Sequence, residues 1–271
     1  MPTPDGGSPR APRAPGRYIA GRQIPALDGV RGIAVLIVIL HHGQLMMPDA
    51  SPGWILLKSA FRLGWAGVDL FFVLSGFLIT GILLDTRPAS NYFQSFYARR
   101  ILRIFPLYYV ALTGLLLLGW ACGPWLQRLL PPSDDRGFYF LFLNNWRLLL
   151  HHQMAGNTIG HFWSLAVEEQ FYLMWSLCVW LVPSRYLGRI CAATFVGVLA
   201  LRVGLLWHGG PSQAIVENTF TRMDTLLAGA ACAIIVRRKD LLARIGPWMD
   251  WVAAVSFGGL GAIFLATQDP A

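Results

Sequence analysis

The chain of 271 residues is 55% hydrophobic and only 13% charged, which is too apolar for an ordinary soluble domain. Its net charge of +8 does not indicate a nucleic-acid-binding surface, because the basic residues form short clusters between apolar runs. The four cysteines lie in apolar stretches without the spacing of metal ligands, so neither a metal site nor a disulfide framework is expected. The composition therefore predicts a protein embedded in a membrane.

The N-terminal segment differs in composition from the rest of the chain. Residues 1–22 are rich in proline, glycine and arginine and cannot bury enough surface to fold, so we predict a disordered basic arm. The first apolar run begins near Ile24 and continues to Met47. It lies too far from the start for a secretory signal peptide and is expected to remain as an anchor, which makes residues 23–271 one transmembrane domain.

Seven apolar stretches are long enough to cross about 30 Å of hydrocarbon as helices. They are residues 27–47, 65–84, 104–122, 161–182, 190–207, 222–236 and 249–267. The segment 137–150 is either an additional half-span or an interfacial helix. No internal repeat is visible in the sequence. We therefore predict an all-α, polytopic transmembrane helical bundle of about seven spans.

Clusters of arginine predict the orientation of this bundle. They are Arg10, Arg13, Arg17 and Arg22 before the first span, and Arg87, Arg99, Arg100 and Arg103 after the second. Because cytoplasmic loops carry an excess of lysine and arginine, the N-terminus and the loop 85–103 are predicted to be cytoplasmic. The long segment 123–160 is then extracytoplasmic, although it also contains three arginines.

Eight ionisable residues lie within the apolar stretches. They are Arg31, His41, His42, Asp69, Glu168, Glu169, Arg222 and Asp224. A charged group inside a membrane costs on the order of a few kcal/mol unless it has a partner or faces a cavity. These residues therefore either pair with one another to hold helices together or form a functional site.

Arg31 and His42 are predicted to share one face of the first helix. They are eleven residues apart, which is three turns plus about 20° and a separation of about 16 Å along the axis. A histidine can take a proton from a hydroxyl group or act as a nucleophile near neutral pH. The alternative is a hydrogen-bonded core histidine, a role that we expect of His41, which points about 100° away from His42.

Arg100 and Arg103 are neighbours on one face of a predicted amphipathic helix that leads into the third span. Guanidinium groups bind phosphate well, so this pair is a candidate site for a phosphorylated donor from the cytoplasm. A contact with lipid headgroups, or a simple orientation signal, would require the same charges. Charge alone does not separate these three interpretations.

The run from His161 to Tyr172 enters the membrane from the predicted outer side and contains two adjacent acids, Glu168 and Glu169. Glu168 is expected about 10 Å from that side. Since His42 is expected about 16 Å from the inner side, the two side chains are predicted to lie at similar depth in about 30 Å of hydrocarbon. They can form an acid–base pair if their helices touch.

Five segments carry motifs that occur together in one known family. They are LDGVRGIAVLIVILHH at 27–42, GWAGVDLFFVLSGFLITGILL at 64–84, FYARRILRIFPLYY at 96–109, HFWSLAVEEQFYL at 161–173 and RMDTLLAGA at 222–230. In content and order they resemble the membrane-bound acyltransferase 3 family, which includes bacterial O-antigen and exopolysaccharide acetyltransferases and macrolide acyltransferases. One such segment would be weak evidence, but five in the family's order identify the chain as a member.

The resemblance implies an O-acyltransferase whose donor is acyl-CoA, usually acetyl-CoA, as a substrate and not as a permanently bound cofactor. It implies a carbohydrate or glycosylated acceptor. The residues that match family positions are, for catalysis, His42, Glu168 and, in reserve, Asp69; for donor binding, Arg31, Arg100 and Arg103; and for substrate or structural support, Glu169, Arg222 and Asp224.

The resemblance also implies a bundle of about ten helices in a bacterial cytoplasmic membrane. Since this chain is predicted to have about seven spans, we expect it to be a fragment or a short variant of such a bundle. The alternative function is a transporter in which Arg31, His42 and Glu168 form a proton or anion path. A transporter is expected to have two halves with similarly broken helices, which the sequence does not show. A catalytically silent scaffold is a third alternative. The acyl group and the acceptor are not specified by the sequence.

Overall fold

The computed structural model describes residues 25–43, 64–123, 127, 130–151, 159–210 and 212–266. Over these residues every regular element is a helix, which confirms the predicted all-α fold. The predicted disordered arm at 1–22 lies outside the described residues.

The α-helices of the described residues are numbered here in chain order. They are α1 Pro25–Gly43, α2 Trp65–Thr86, α3 Tyr92–Ala121, α4 Arg136–Phe140, α5 Asn144–His151, α6 Trp163–Leu181, α7 Ser184–Trp207, α8 Ser212–Glu217, α9 Thr219–Arg237, α10 Lys239–Ile245 and α11 Met249–Ala266. Short 3-10 helices at Ser133–Asp135, Gly160–Phe162 and Gly246–Trp248 precede α4, α6 and α11.

Five helical stretches of the described chain are long and apolar enough to cross a membrane. They are α1, α2, α3, α7 and the stretch Ile215–Arg237 that contains α9. This confirms a polytopic membrane bundle. The other two predicted spans correspond to the 19-residue α6 and the 18-residue α11. Because α6 carries Glu168, Glu169 and Gln170, its composition is less apolar, and the count of about seven spans stays a prediction.

Helix α3 joins the predicted interfacial segment to the third predicted span. It runs for 30 residues without a break, about 45 Å at 1.5 Å per residue. Pro106 lies inside it, where it supplies no backbone N–H for the helical hydrogen-bond pattern. The segment 137–150, predicted as a half-span or one interfacial helix, is divided between the short helices α4 and α5.

Local sequence explains where two of the spanning helices begin. Pro183 precedes α7 with extended backbone, as expected for a residue that cannot continue the preceding helix. The side chain of Asn218 accepts a hydrogen bond of 2.9 Å from the backbone N–H of Phe220 and caps the N-terminus of α9. These two signals separate α6 from α7 and set the first turn of α9.

Helices α2 and α9 form the centre of the bundle, and their backbones nearly touch at two glycines. A Cβ atom added at Gly76 would lie 1.9 Å from the Leu226 carbonyl oxygen, and one added at Gly229 would lie 1.9 Å from the Val73 carbonyl oxygen. Small residues allow this close approach of helices in membranes. Half of each helix is buried, whereas α1, α3 and α7 are mostly exposed and present apolar side chains to lipid.

A second apolar cluster lies where α3 meets α4 and the start of α6. Tyr108 stacks on Phe142 with ring centroids 4.2 Å apart, and its hydroxyl donates a hydrogen bond of 2.7 Å to the Tyr139 carbonyl. Ile159 and Phe162 are buried in the same cluster. These contacts hold the α4 segment and the N-terminal end of α6 against α3.

An ion pair joins α2 and α9 at the ends that the arginine distribution predicts to be cytoplasmic. Both carboxylate oxygens of Asp85 accept hydrogen bonds from Arg237, at 3.3 and 2.9 Å. The same guanidinium group donates to the Gly81 carbonyl at 3.0 Å. Asp85 therefore neutralises Arg237, and α2 and α9 are fixed in register at this end.

Candidate active site

Glu168 on α6 lies at the centre of a buried polar cluster. It is only 3% exposed, and its Oε1 atom has no hydrogen-bond partner among the described residues. Its polar neighbours are the hydroxyl groups of Ser75 and Tyr172 and the guanidinium groups of Arg100 and Arg31. Side chains from α1, α2, α3 and α6 therefore converge on this one carboxyl group.

Arg100 faces the interior of the bundle from α3. Its guanidinium carbon lies 4.9 Å from the centre of the Tyr172 ring and 5.9 Å from that of Phe96, both within cation–π range. It also interacts electrostatically with Glu168. Arg103, one turn later on the helix, is exposed. The two arginines predicted to act as a pair are therefore in different environments.

Arg31 reaches the same cluster from α1. Its guanidinium carbon lies 5.6 Å from the centre of the Phe71 ring, and its Nε atom is buried without a hydrogen-bond partner among the described residues. Its charge acts on Glu168. Two cations thus flank one buried acid. The structure therefore places Arg31 and Arg100, predicted to bind the donor, next to Glu168, predicted to be catalytic.

Glu169 adds a second acid to the cluster. Its neighbours are Glu168 and Arg100, and its Oε1 atom is buried without a hydrogen-bond partner among the described residues. Buried polar atoms almost always have partners in folded proteins. Since Arg31, Glu168 and Glu169 each leave one such atom free, the cluster has unused hydrogen-bonding capacity that a polar ligand can fill.

His42 lies in the last turn of α1, apart from this cluster. Its Nδ1 atom is 2.9 Å from the Val38 carbonyl oxygen, one turn earlier. Because a carbonyl oxygen can only accept a hydrogen bond, Nδ1 carries a proton, and in the neutral ring Nε2 is the proton-accepting atom. The ring also makes edge contacts with His41 and with His161, with centroids 5.5 and 5.8 Å apart.

The structure does not bring His42 and Glu168 together. Within the described residues, the contacts of His42 include no hydrogen bond or ion pair with Glu168 or Asp69. The ring meets His161, which precedes Glu168 by seven residues and thus by about 10 Å along the helix. The acid–base pair of His42 with Glu168 therefore stays a prediction, and His161 is a neighbour of the candidate base that the sequence did not single out.

Asp69, Arg222 and Asp224 belong to a network between α2, α9 and α7. Asp69 forms an ion pair of 2.7 Å with Arg222, whose guanidinium group also lies over the Trp163 ring at 5.8 Å. Asp224 is buried and forms an ion pair of 2.8 Å with Arg202. Both acids are therefore neutralised by arginines, which favours the structural role for Arg222 and Asp224 and makes Asp69 a weaker candidate for orienting His42.

Arg202 was missed by sequence reasoning, although the signal was present. It lies within the apolar stretch 190–207, and the presence of an ionisable residue in an apolar stretch is the criterion by which Arg31 and Arg222 were selected. Its Nε atom also donates to the Thr221 carbonyl at 2.6 Å.

A polar network beside Glu169 was also missed. The Gln170 amide donates to the Asn145 side chain at 2.9 Å and to the Phe142 carbonyl at 2.7 Å, while its oxygen accepts from Trp146 at 2.9 Å. The Thr219 hydroxyl, which bonds both Asn145 and Gln170, closes the network. These bonds fix the outer half of α6 against α5 and α9. Neutral polar residues next to a motif gave no distinctive sequence signal.

The comparisons with known proteins point to one family. Residues 24–269 match the family model described as an acyltransferase domain. The chain is 33% identical over 235 residues to YrhL of Bacillus subtilis, and the alignment covers 81% of this chain and 34% of that protein. It is 28% identical over 263 residues to the O-acetyltransferase OatA of Staphylococcus aureus, covering 92% of this chain and 41% of OatA.

A third relative is the peptidoglycan O-acetyltransferase OatA of Listeria monocytogenes, 31% identical over 230 residues, with coverage of 79% of this chain and 34% of that protein. This chain therefore spans between a third and about two fifths of the length of these curated relatives. No solved structure matches the chain.

Proposed function

Because the chain belongs to the acyltransferase-domain family, we propose that it is a membrane O-acyltransferase that moves an acetyl group from acetyl-CoA to a hydroxyl group of a carbohydrate. The family match over nearly the whole chain is the observation that carries the proposal. YrhL of Bacillus subtilis and OatA of Listeria monocytogenes carry names that specify O-acetyl transfer to peptidoglycan, and these names support the acyl group and the class of acceptor. For this chain we propose a glycan of the cell wall or another surface polysaccharide.

The chemistry requires a group that removes a proton from the acceptor hydroxyl. We assign this role to His42, because its Nδ1–H bond to the Val38 carbonyl orients the ring and leaves Nε2 to accept a proton. The acceptor oxygen attacks the acyl carbonyl carbon, a C–O bond forms and the C–S bond breaks. The proton passes from the hydroxyl group to His42 and then to the departing thiolate of CoA.

The donor is proposed to bind through arginine. Arg103 is exposed on the part of α3 predicted to be cytoplasmic, where it can meet the phosphate groups of CoA. Arg100 and Arg31 lie deeper, beside Glu168, and can hold polar atoms of the donor between its phosphate groups and its acyl end. Glu168 is then available to compensate their charge and to position them. The donor would thus extend from the inner surface towards the interior of the bundle.

The transporter alternative has less support. The buried cluster of Arg31, Arg100 and Glu168 could line an ion path, but the family of the chain is one of acyltransferase domains. We propose that the protein resides in a bacterial cytoplasmic membrane with its N-terminus in the cytoplasm, in keeping with the arginine distribution.

The proposal is tested by incubating membranes that contain the protein with labelled acetyl-CoA and peptidoglycan glycan strands. We expect label in the glycan that mild base releases, as for an ester. His42→Ala should lower the rate about 10²–10⁴-fold, the usual contribution of a general base. His41→Ala, the matched control one residue earlier, should keep most of the activity. Retention of more than about a tenth of the rate by His42→Ala would contradict the assignment.

A further inference from the structure

A groove of about 690 Å³ lies between α7, α9 and α10, away from the candidate active site. On α7 it is lined by residues spaced three or four apart, such as Gly188, Ala192 and Phe195, which form one stripe on the helix. Ala228 and Ala231 form part of a corresponding stripe on α9. Because glycine and alanine occupy these facing positions, the helices leave space between them.

Three arginines stand at one end of this groove. Arg185 and Arg189 lie in the first two turns of α7, and Arg238 follows the last residue of the antiparallel α9, so all three are at the end predicted to be cytoplasmic. A smaller adjoining cavity of about 420 Å³ shares Arg185 and Arg238 with it. The groove therefore has an apolar body and a cationic end.

The charges at this end are not neutralised by any part of the chain that the structure describes. No carboxylate among the described residues forms an ion pair with Arg185, Arg189 or Arg238. Arg237, which lines the adjoining cavity, is already held by Asp85. The guanidinium groups of Arg185 and Arg189 lie against the Tyr186 ring, at 4.7 and 5.7 Å, and no described residue accepts a hydrogen bond from them.

The apolar body of the groove is accessible from the lipid side. Phe195 and Val196 line it, and they are 38% and 64% exposed on a helix long and apolar enough to span the membrane. An occupant can therefore enter sideways from the bilayer. It must combine an apolar chain, which fits the alanine-lined body, with an anionic head, which fits the arginines.

We propose that this groove is a binding site for an anionic glycerophospholipid of the cytoplasmic leaflet. The phosphate group binds Arg185, Arg189 and Arg238, and one acyl chain lies between α7 and α9. Basic recesses between membrane helices on the cytoplasmic side are suited to such headgroups, and guanidinium groups bind phosphate with paired hydrogen bonds. The site is independent of the acyl-transfer proposal, because none of its residues belongs to the candidate active site.

Native mass spectrometry of the full chain, released from nanodiscs of equal parts phosphatidylglycerol and phosphatidylcholine, tests the charge of the ligand. We expect retained phosphatidylglycerol in the wild type. Arg185→Gln with Arg189→Gln should lower its preference over phosphatidylcholine about fivefold for each arginine removed. Arg244→Gln changes an exposed arginine of α10 that does not line the groove, and should leave the preference unchanged.

A second pair of variants tests the acyl chain. Gly188→Leu places a side chain in the groove, whereas Gly197→Leu places one on α7 outside it, and an added Cβ meets nothing within 4 Å at either position. Only Gly188→Leu should reduce the retained amounts of both phosphatidylglycerol and phosphatidylcholine. Equal retention by these two variants, no preference for phosphatidylglycerol in the wild type, or an unchanged preference in the double arginine variant would each overturn the proposal. Retention of long-chain acyl-CoA in place of phospholipid would overturn it as well.

Discussion

Replacing Gly229 by alanine should separate the two central helices. The added Cβ atom would lie 1.9 Å from the Val73 carbonyl oxygen and 2.8 Å from the Phe77 nitrogen, and both are backbone atoms that no side-chain rotation can move. To restore an ordinary contact of about 3.5 Å, α2 and α9 must move apart by about 1.5 Å. Overpacking of this kind costs about 1–3 kcal/mol.

Gly114→Ala is the matched control for this change. Gly114 lies inside α3, and an added Cβ there meets nothing within 4 Å. Both substitutions gain the same helix propensity, about 1 kcal/mol for alanine over glycine, so this contribution cancels in the comparison. The free energy of unfolding of Gly229→Ala should therefore be lower than that of Gly114→Ala by about 1–3 kcal/mol.

The assay is reversible unfolding in mixed detergent micelles, followed by circular dichroism and fitted to a two-state transition. Both variants must first be shown to insert and to have wild-type helical content. If the free energies of unfolding of the two variants differ by less than about 0.5 kcal/mol, the backbone contact does not limit how closely α2 and α9 pack. That result would refute the reasoning.

Three further outcomes are expected. Arg100→Ala and Arg103→Ala should each raise the apparent KM for acetyl-CoA more than that for the acceptor, and unchanged donor kinetics in both would return these residues to the role of orientation signals. In a cysteine-free background, Ser133→Cys should react with a membrane-impermeant thiol reagent added outside, and Ser90→Cys should not. The reverse pattern would show that the predicted orientation in the membrane is wrong. His161→Ala should lower kcat more than it raises the KM for the acceptor, because the ring contacts the candidate base, and an unchanged kcat in a folded variant would leave His161 with a packing role.

The fold was predictable because long apolar runs have few alternatives to helix in a membrane. The stretch 65–84 corresponds closely to α2, and the stretch 190–207 lies within α7, which begins six residues earlier at Ser184. The boundary of α3 was less predictable, because its amphipathic beginning and its apolar remainder differ in composition but continue as one helix. The status of α6 as a span is ambiguous for a related reason: the polar residues that give it a functional interest also reduce its hydropathy.

The candidate site was predictable in its residue types and less so in its partners. Helical spacing placed Arg31 and His42 on one face of α1, yet Arg31 lies beside Glu168 and His42 beside His161. Spacing defines the face of a single helix and not which neighbouring helix that face meets. For the same reason, the inward position of Arg100 could not be read from the arginine cluster in which it lies.

Pro106 gives α3 a specific mechanical property. Since proline has no backbone N–H, the carbonyl group of Leu102 lacks its usual partner one turn later, and Leu102 itself is 76% exposed. A helix can bend at such a point without losing a further hydrogen bond. The helix is therefore easiest to bend just after Arg103. This point separates the segment that carries the arginines from the segment that packs on the second apolar cluster around Tyr108. The angle between these two parts of one continuous helix can therefore change.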